Sequence, residues 1–191
     1  MIGESEGRKP RADALRNRAR LIGVAKQAFT EIGPEVTLEE IARRAEVGIG
    51  TLYRHFPTRD AMVEAVYRHE VGQLAEAAQS LLETLPPAEA LRAWLRLFVE
   101  YMATKRVIAP ALGAMAGGVS ALYETSGSLI RAAVTLLIER AIAAGDIRAD
   151  IEPEDLMQAL SGLSYGASAP GWDARTLRLI DVLMNGLRPE A

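Results

Sequence analysis

The sequence predicts an all-α protein of about nine helices. Apolar residues recur at helical spacing along almost every segment, and no segment shows the sustained alternation of a half-buried strand. Glycine and proline pairs, such as Gly33-Pro34 and Pro86-Pro87, separate the periodic segments. We therefore expect helices that are joined by short turns.

The first helix is predicted to start at Ala12 and to end at Gly33-Pro34. Residues 1–11 before it are read as a disordered basic arm, and they lack the apolar run of a secretory signal. The other face of the helix is basic. Its apolar stripe comprises Leu15, Ala19, Ile22, Ala25, Phe29 and Ile32.

Two short helices are expected next. Thr37 lies three residues before Glu40, which is the spacing of a capping box at a helix start. Val47-Gly48 interrupts the pattern before a third helix from Ile49 to His55. Two short helices joined by a tight turn that contains glycine form a helix-turn-helix signature, whose second helix lies in a DNA major groove. Residues 12–60 therefore predict a DNA-binding domain.

Polar residues at the end of the third helix suit a phosphate backbone. Tyr53, Arg54 and His55 can donate hydrogen bonds to phosphates at the groove edge. Arg43 and Arg44 fit either a solvated helix face or a DNA contact. The predicted DNA-binding residues are Thr37, Arg43, Arg44, Gly48, Ile49, Gly50, Thr51, Tyr53, Arg54, His55 and Arg59.

Residues 61–191 predict a helical body. Thr58 can cap a fourth helix that enters this body. The remaining helices are a fifth after Pro86-Pro87, a shorter sixth before Gly117-Gly118, a seventh ending at Gly145-Asp146, an eighth opening at Glu152-Pro153 and a ninth spanning Leu177 to Leu187.

Charge and composition exclude several functions. Residues 8–60 hold eleven Arg or Lys against seven Asp or Glu, whereas residues 69–191 hold ten against fifteen. This asymmetry fits a polyanion-binding module on an acidic body, although chance variation in surface charge gives the same pattern. There is no Cys, and the sequence has no phosphate-binding glycine loop and no HExxH motif. We expect no enzyme activity, no cofactor and no metal.

The longest uncharged run is also too broken to span a bilayer. It extends from about Val107 to Tyr123 and contains Pro110 and three glycines. We therefore expect a cytoplasmic protein that does not enter a membrane.

Residues from about 15 to 68 resemble the DNA-binding domain of the TetR family of bacterial transcriptional regulators. The resemblance implies a homodimer that pairs through its last two helices, an effector cavity in each body and an operator read by two N-terminal domains. It implies phosphate contacts for Thr37, Thr51, Tyr53, His55 and Arg59. The matching residues are Phe29, Thr37, Ile41-Ala42, Ala45, Val47, Gly50-Thr51-Leu52-Tyr53, His55-Phe56 and Met62.

The sequence departs from the family pattern in the turn. Glu46 stands where glycine is common, and Gly48 stands where a hydroxyl cap is common. Ile49 and Gly50 cannot form the bidentate hydrogen bonds that identify G or A. Sequence recognition then depends on Thr51, Arg43 or Arg44, or on DNA shape. A further alternative is contact of Arg8, Lys9 and Arg11 with the minor groove.

The helical body contains two further sets of predicted functional residues. Apolar and aromatic residues at helical spacing fill cores, but they also line ligand cavities. The predicted effector-binding residues are Trp94, Phe98, Tyr101, Met102, Met115, Tyr123, Met157 and Tyr165. The predicted dimer-interface residues are Leu156, Leu160, Leu163, Leu177, Ile180, Leu183, Met184 and Leu187.

We expect a dimeric, ligand-responsive transcriptional regulator, and we prefer repression over activation as its role. A small, mostly apolar effector would release it from a pseudo-palindromic double-stranded DNA operator. The fourth helix is the candidate lever between the two domains. The alternative is a small-molecule binding or carrier protein, or an enzyme with an apolar cavity, without DNA activity.

Overall fold

The computed structural model describes residues 8–115, 117–164 and 172–189. These residues form eight α-helices and no strand, which confirms the predicted all-α class. The helices are α1 (Arg8–Ile32), α2 (Leu38–Arg44), α3 (Ile49–His55), α4 (Arg59–Thr84), α5 (Pro87–Gly113), α6 (Ser120–Ala143), α7 (Pro153–Ser164) and α8 (Trp172–Gly186).

The helix count is one lower than expected because the predicted fifth and sixth helices are continuous. α5 passes through Pro110 and ends three residues later. Proline removes one backbone donor and usually breaks a helix interior. Here it lies within the last turn, and the Ala114 N–H still donates to the Pro110 carbonyl oxygen at 3.2 Å. The proline therefore does not divide the helix.

The described residues divide into two compact units. The first contains residues 8–69 and the described residues of 106–118, and the second contains the described residues of 70–105 and of 119 onwards. α4 and α5 thus contribute to both units. The predicted boundary at residue 60 falls in the first turn of α4, whereas the structural division lies at residue 69 of the same helix.

The core of the first unit uses only part of the predicted α1 stripe. Leu15 and Ile32 are 63% and 49% exposed. α2 packs on α1, but a seven-residue helix is only about 10 Å long and covers a small part of α1. The buried α1 residues are Leu21, Ile22, Ala25, Ala28 and Phe29.

The N-terminal boundary also needs correction. α1 begins at Arg8, four residues before the predicted start, so the backbone of residues 8–11 is helical instead of irregular. Residues 1–7 of the predicted arm lie outside the described residues.

The second unit is organised around a tryptophan on α5. The Trp94 ring is fully buried, and its Nε1–H donates to the Leu74 carbonyl oxygen of α4 at 2.7 Å. Phe98 stacks on Trp94 with ring centroids 5.8 Å apart. The Ala88 N–H donates to the Asp146 carboxylate at 3.2 Å, which fixes the start of α5 against the turn after α6. None of the described helices combines the length and the hydropathy needed to cross a membrane.

Candidate nucleic-acid interface

The start of α2 forms half of the predicted capping box. Thr37 has an extended backbone, and its Oγ1 accepts the Glu40 N–H at 3.2 Å. This bond satisfies one of the free donors at the helix start. The Glu40 carboxylate turns instead to Arg43 and Arg44. The hydroxyl half of the prediction is therefore confirmed, and the carboxylate half is wrong.

The turn between α2 and α3 is a Schellman motif. The Val47 N–H donates to Ala42 O at 3.0 Å, and the Glu46 N–H donates to Arg43 O at 3.1 Å. This motif places Glu46 in the left-handed region, with φ of 52°. A side chain is disfavoured there by about 1 kcal/mol, which is why glycine is common at this position. The sequence departure at Glu46 therefore corresponds to a strained backbone.

α3 is anchored by two apolar side chains and presents its opposite face outward. Leu52 and Phe56 are fully buried. Ile49 is 38% and Tyr53 is 43% exposed. Arg54 is exposed too, and it makes no ion pair with any described residue. Helical spacing puts Ile49 and Tyr53 on one face of α3, with Arg54 on the adjacent face.

The glycines at the start of α3 are not required by the fold. Gly48 caps α3 with an ordinary extended backbone, φ −65°, and its carbonyl accepts the Thr51 N–H at 2.8 Å. A Cβ atom at Gly48 or Gly50 would meet nothing within 4 Å. Both positions are exposed. The missing side chains therefore leave open space on the outward face, and this space admits close approach by another molecule.

The remaining predicted residues of α3 lie at the border of this face. Thr51 and His55 are half-buried. The His55 ring lies 6.3 Å from the Phe56 ring, next to the buried anchor. The structure thus gathers Gly48, Ile49, Gly50, Thr51, Tyr53, Arg54 and His55 on one short helix and its cap.

Arg43 and Arg44 are both engaged by acidic side chains. Arg43 donates to Glu40 through Nε at 2.8 Å and Nη2 at 2.7 Å. Arg44 donates to the same carboxylate through Nε at 2.9 Å and to Glu31 of α1 through Nη1. Arg44 is only 28% exposed, whereas Arg43 is 72% exposed. Arg44 therefore connects α1 to α2, and Arg43 remains accessible.

Glu40 is held in its ionised form by these arginines. The hydrogen bonds from Arg43 and then from Arg44 lower the pKa of Glu40 from 4.5 to about 2. The same contacts raise the pKa of both guanidinium groups. All three charges are consequently fixed over the whole neutral range.

Arg59 is held by the backbone of the turn between α1 and α2. Its Nη1 donates to Val36 O, its Nη2 donates to Pro34 O, and its guanidinium lies 5.7 Å from the centre of the Phe29 ring. These contacts tie the start of α4 to the turn between α1 and α2. Two of the five N–H donors of Arg59 are thus bound to backbone carbonyls, and its phosphate contact stays a prediction.

Two contributors to the site were missed by the sequence reading. The Arg18 guanidinium of α1 lies 5.1 Å from the centre of the Phe56 ring, which closes α3. Glu31 binds Arg44 across 13 residues. The basic face of α1 was a signal for Arg18. No sequence signal distinguishes Glu31 from other exposed acids, since the contact depends on the angle between α1 and α2.

The predicted effector-binding residues differ in their burial. Trp94, Phe98 and Tyr101 are buried; Phe98 stacks on Trp94, and the Tyr101 ring is tilted against Phe98 at 52°. Met102, Met115, Tyr123 and Met157 are half-buried, and Tyr165 lies outside the described residues. A groove of about 370 Å³ lies elsewhere in the second unit. It is lined by Leu81, Leu85, Glu89, Arg92, Ala93, Arg96 and Leu97, none of which was predicted.

The predicted dimer-interface set also needs correction. Leu156, Leu160, Ile180, Met184 and Leu187 are buried within the chain, so their side chains are not available to a second copy. Leu183 is half-buried, and the Leu163 side chain lies outside the described residues. Of this set Leu177 is exposed, at 36%, and α8 adds two unpredicted exposed residues, Leu179 at 39% and Val182 at 67%. A helical stripe alone cannot separate an internal face from an external one.

The geometry of α2, the Schellman turn and α3 defines a helix-turn-helix DNA-binding protein. Two family models match the chain. One, described as bacterial regulatory proteins of the tetR family, matches residues 21–66. The other, described as the C-terminal domain of SbtR-like transcriptional regulators, matches residues 86–189, more than half of the chain. The chain belongs to the TetR family of bacterial transcriptional regulators, which are transcription factors and not enzymes.

Individual proteins agree with this assignment. The TetR transcriptional regulator SCO0520 from Streptomyces coelicolor is 46% identical, with 91% of this chain and 99% of that chain covered and a TM-score of 0.83. A TetR regulator from Mycobacterium vanbaalenii is 34% identical over 94% of this chain and 99% of its own, with a TM-score of 0.79. The HTH-type regulator BetI of Escherichia coli is 34% identical over 76 residues. The chain matches only 39% of the length of that curated relative.

Proposed function

We propose that this regulator is a homodimeric repressor that binds a pseudo-palindromic operator and leaves it when a small, mostly apolar effector binds. One observation carries the DNA-binding part. α3 presents Ile49, Tyr53 and Arg54 outward beside two glycines whose open space nothing in the fold requires. A short helix with an open start and a cationic end suits a major groove bordered by phosphates.

The individual contacts follow from this face. Tyr53, Arg54 and His55 bind phosphates and fix the register of α3, while Ile49 contacts a thymine methyl group. Gly48 and Gly50 allow the helix to lie close to the bases. Thr37 and Thr51 add hydroxyl contacts at the edge of the groove. Arg59 is left out of the proposed contacts because two of its donors bind the Pro34 and Val36 carbonyls.

Dimerisation is supported by the exposed apolar residues of α8. Leu177, Leu179 and Val182 are large apolar side chains on one short helix. A two-fold axis beside this helix would bring each residue against the same surface of the second copy. It would also place two α3 helices at half-sites about one DNA turn apart, which makes a pseudo-palindromic operator the geometric expectation.

The effector must bind the DNA-incompetent arrangement more tightly than the competent one, because a ligand with equal affinity for both shifts nothing. The coupling is then reciprocal, so operator DNA weakens effector binding by the same factor. α4 contributes to both compact units and is the proposed lever. A reducing cytoplasm is the compartment we propose.

Selection from genomic DNA tests the proposal. The purified chain is mixed with a pool of genomic fragments at low salt, and the bound fragments are sequenced. We expect enrichment of fragments with an inverted repeat, and binding that weakens as salt rises because phosphate contacts release counterions. The Tyr53→Phe/His55→Ala variant is the control. A wild-type chain that enriches no fragment would overturn the regulator proposal.

Val182→Asp tests dimerisation. We expect it to shift sedimentation from dimer to monomer, since a charge at a buried apolar contact is unfavourable. Leu129→Asp on α6, where the leucine is 46% exposed, is the matched control and should leave the dimer intact. Unchanged sedimentation of Val182→Asp would remove α8 from the interface.

A further inference from the structure

Four charged residues form a cluster on α2 and the end of α1. We call Glu31, Glu40, Arg43 and Arg44 the α2 charge cluster. Glu40 accepts three hydrogen bonds, two from Arg43 and one from Arg44, and Glu31 accepts a fourth from Arg44. Two positive and two negative charges lie within hydrogen-bonding distance of each other, so the cluster is neutral as a whole.

This neutrality matters for a protein that binds DNA. Non-specific affinity for duplexes comes from the attraction between phosphates and uncompensated basic side chains, and it carries no sequence information. An arginine whose charge is balanced by an adjacent carboxylate contributes little to this attraction. Arg43 is 72% exposed and its Nε–Nη2 edge is occupied by Glu40. Glu40 therefore occupies one of the two guanidinium edges that can bind a phosphate in bidentate fashion, and it balances the Arg43 charge.

We propose that Glu40 is a specificity-determining residue, which suppresses non-specific DNA binding by keeping Arg43 and Arg44 bound to itself. The proposal rests on the DNA-binding function proposed above. Glu40 performs this role through Arg43 in particular, because Arg44 is also held by Glu31 and is mostly buried. The sequence motif gives Glu40 another role, as the second half of a capping box, which the structure does not show.

α2 supplies a matched control beside Glu40. Glu39 belongs to the same first turn, is exposed, and forms no ion pair with the residues that the structure describes. Glu39→Gln and Glu40→Gln therefore remove the same charge from the same helix turn. Only Glu40→Gln also releases Arg43, since Arg44 keeps its bond to Glu31. Any difference between the two variants isolates the release of Arg43 from the change in net charge.

The experiment measures binding of the full chain to a labelled 30-base-pair duplex of mixed sequence by fluorescence anisotropy, between 50 and 200 mM salt. We expect Glu40→Gln to steepen the dependence of log affinity on log salt by about 1, because one additional phosphate is neutralised. Its affinity gain over wild type should thus be about fourfold greater at 50 mM than at 200 mM salt. Glu39→Gln should leave the slope unchanged.

A double-mutant cycle assigns the effect to Arg43. Adding Arg43→Ala to Glu40→Gln should restore the wild-type slope, whereas adding it to Glu39→Gln should not change the slope further. The genomic fragment selected by the wild-type chain serves as the specific duplex. We expect Glu40→Gln to lower the ratio of specific to mixed-sequence affinity several-fold. Thermal melts of each variant confirm that the fold is retained.

The outcomes separate the two proposals. A wild-type chain that binds no duplex overturns both the DNA-binding function and the role of Glu40. Wild-type binding with equal slopes for Glu39→Gln and Glu40→Gln overturns the role of Glu40 alone. A lower melting temperature for Glu40→Gln without a change in slope would assign Glu40 a purely structural role and would also overturn it.

Discussion

α2 and α3 are both seven residues long, and both carry two basic residues in the last turn. They differ in whether these basic residues have acidic partners. α2 has Glu39 and Glu40 in its first turn, and Glu40 binds both of its arginines. α3 has no acidic residue in its first turn, and Arg54 is exposed without an ion pair among the described residues. Similar patterns of basic residues therefore produce one neutralised helix and one cationic helix.

The difference assigns distinct tasks to the two helices. α2 is tied to α1 through Arg44 and Glu31, so it supports the unit. α3 keeps the charge of Arg54 and its open glycines for an external partner. A phosphate backbone attracts whichever charge is not already compensated, and this favours α3.

Replacing Arg59 should have the largest effect, and it should act on stability. Arg59→Ala removes two hydrogen bonds from a charged donor to the carbonyls of Pro34 and Val36. We expect a loss of about 3 kcal/mol in the free energy of unfolding. Arg54→Ala, on the exposed face of α3, should change stability by less than about 0.5 kcal/mol. Urea unfolding of both variants measures this contrast, and equal stabilities would show that Arg59 has no such role.

The helix-turn-helix could be predicted from the sequence because its signals are local. The Thr37 cap, the Gly48 interruption and the buried Leu52 and Phe56 depend on neighbours within one or two turns. The role of Arg59 could not be predicted in this way. Its partners lie 23 and 25 residues away, and only the path of the chain brings them to its guanidinium.

The body was harder to predict than the helix-turn-helix for the same reason. The leucine stripe of α8 correctly indicated a helix with an apolar face. It did not indicate that Ile180 and Met184 pack inside the chain while Val182 is exposed. Apolar side chains favour burial in the chain and in an oligomer alike, so composition does not separate the two faces.

Loss of the polar groups of α3 should weaken DNA binding without changing stability. Tyr53→Phe/His55→Ala removes two donors assigned to phosphates, and we expect about 2 kcal/mol lower affinity on every duplex tested. Fluorescence anisotropy on three unrelated sequences measures this loss. A loss confined to one sequence would indicate base reading by these residues instead of phosphate binding.

The turn of the helix-turn-helix can be compared with an equivalent turn after α6. Gly145, with φ of 74°, occupies the same position in a second Schellman motif, in which Asp146 N–H donates to Ala141 O at 2.9 Å. Glu46→Gly should stabilise the chain by about 1 kcal/mol, and Gly145→Ala should destabilise it by a similar amount. Thermal unfolding checks both signs. A destabilised Glu46→Gly would mean that the Glu46 side chain makes a compensating contact.

Replacing Gly50 with alanine should raise stability and lower DNA affinity. Gly50→Ala adds a Cβ atom that meets nothing within 4 Å inside α3. We expect a gain of about 0.5 to 1 kcal/mol in unfolding free energy, since alanine favours the helix. Affinity for the selected fragment should nevertheless fall, because the methyl group fills the space left for the DNA. Unchanged affinity would place the groove contact away from Gly50.

The smallest effect concerns the acid stability of the α2 charge cluster. Because the arginines lower the pKa of Glu40 from 4.5 to about 2, its ionised form stabilises the folded chain fully above pH 4.5. This contribution should decrease as the pH falls through the interval from 4.5 to about 2. Urea unfolding of wild type and Glu40→Gln across pH 2 to 6 measures the difference in their free energies of unfolding.

Subtracting the unfolding free energy of the variant removes the parallel contribution of Asp150, whose pKa is lowered by the hydrogen bonds from Arg148. The difference should also shrink in about 1 M salt, because Glu40 and Arg43 lie near the surface and are screened. A difference that stays constant down to pH 2 would show that Glu40 stabilises α2 by a contact other than its ion pairs.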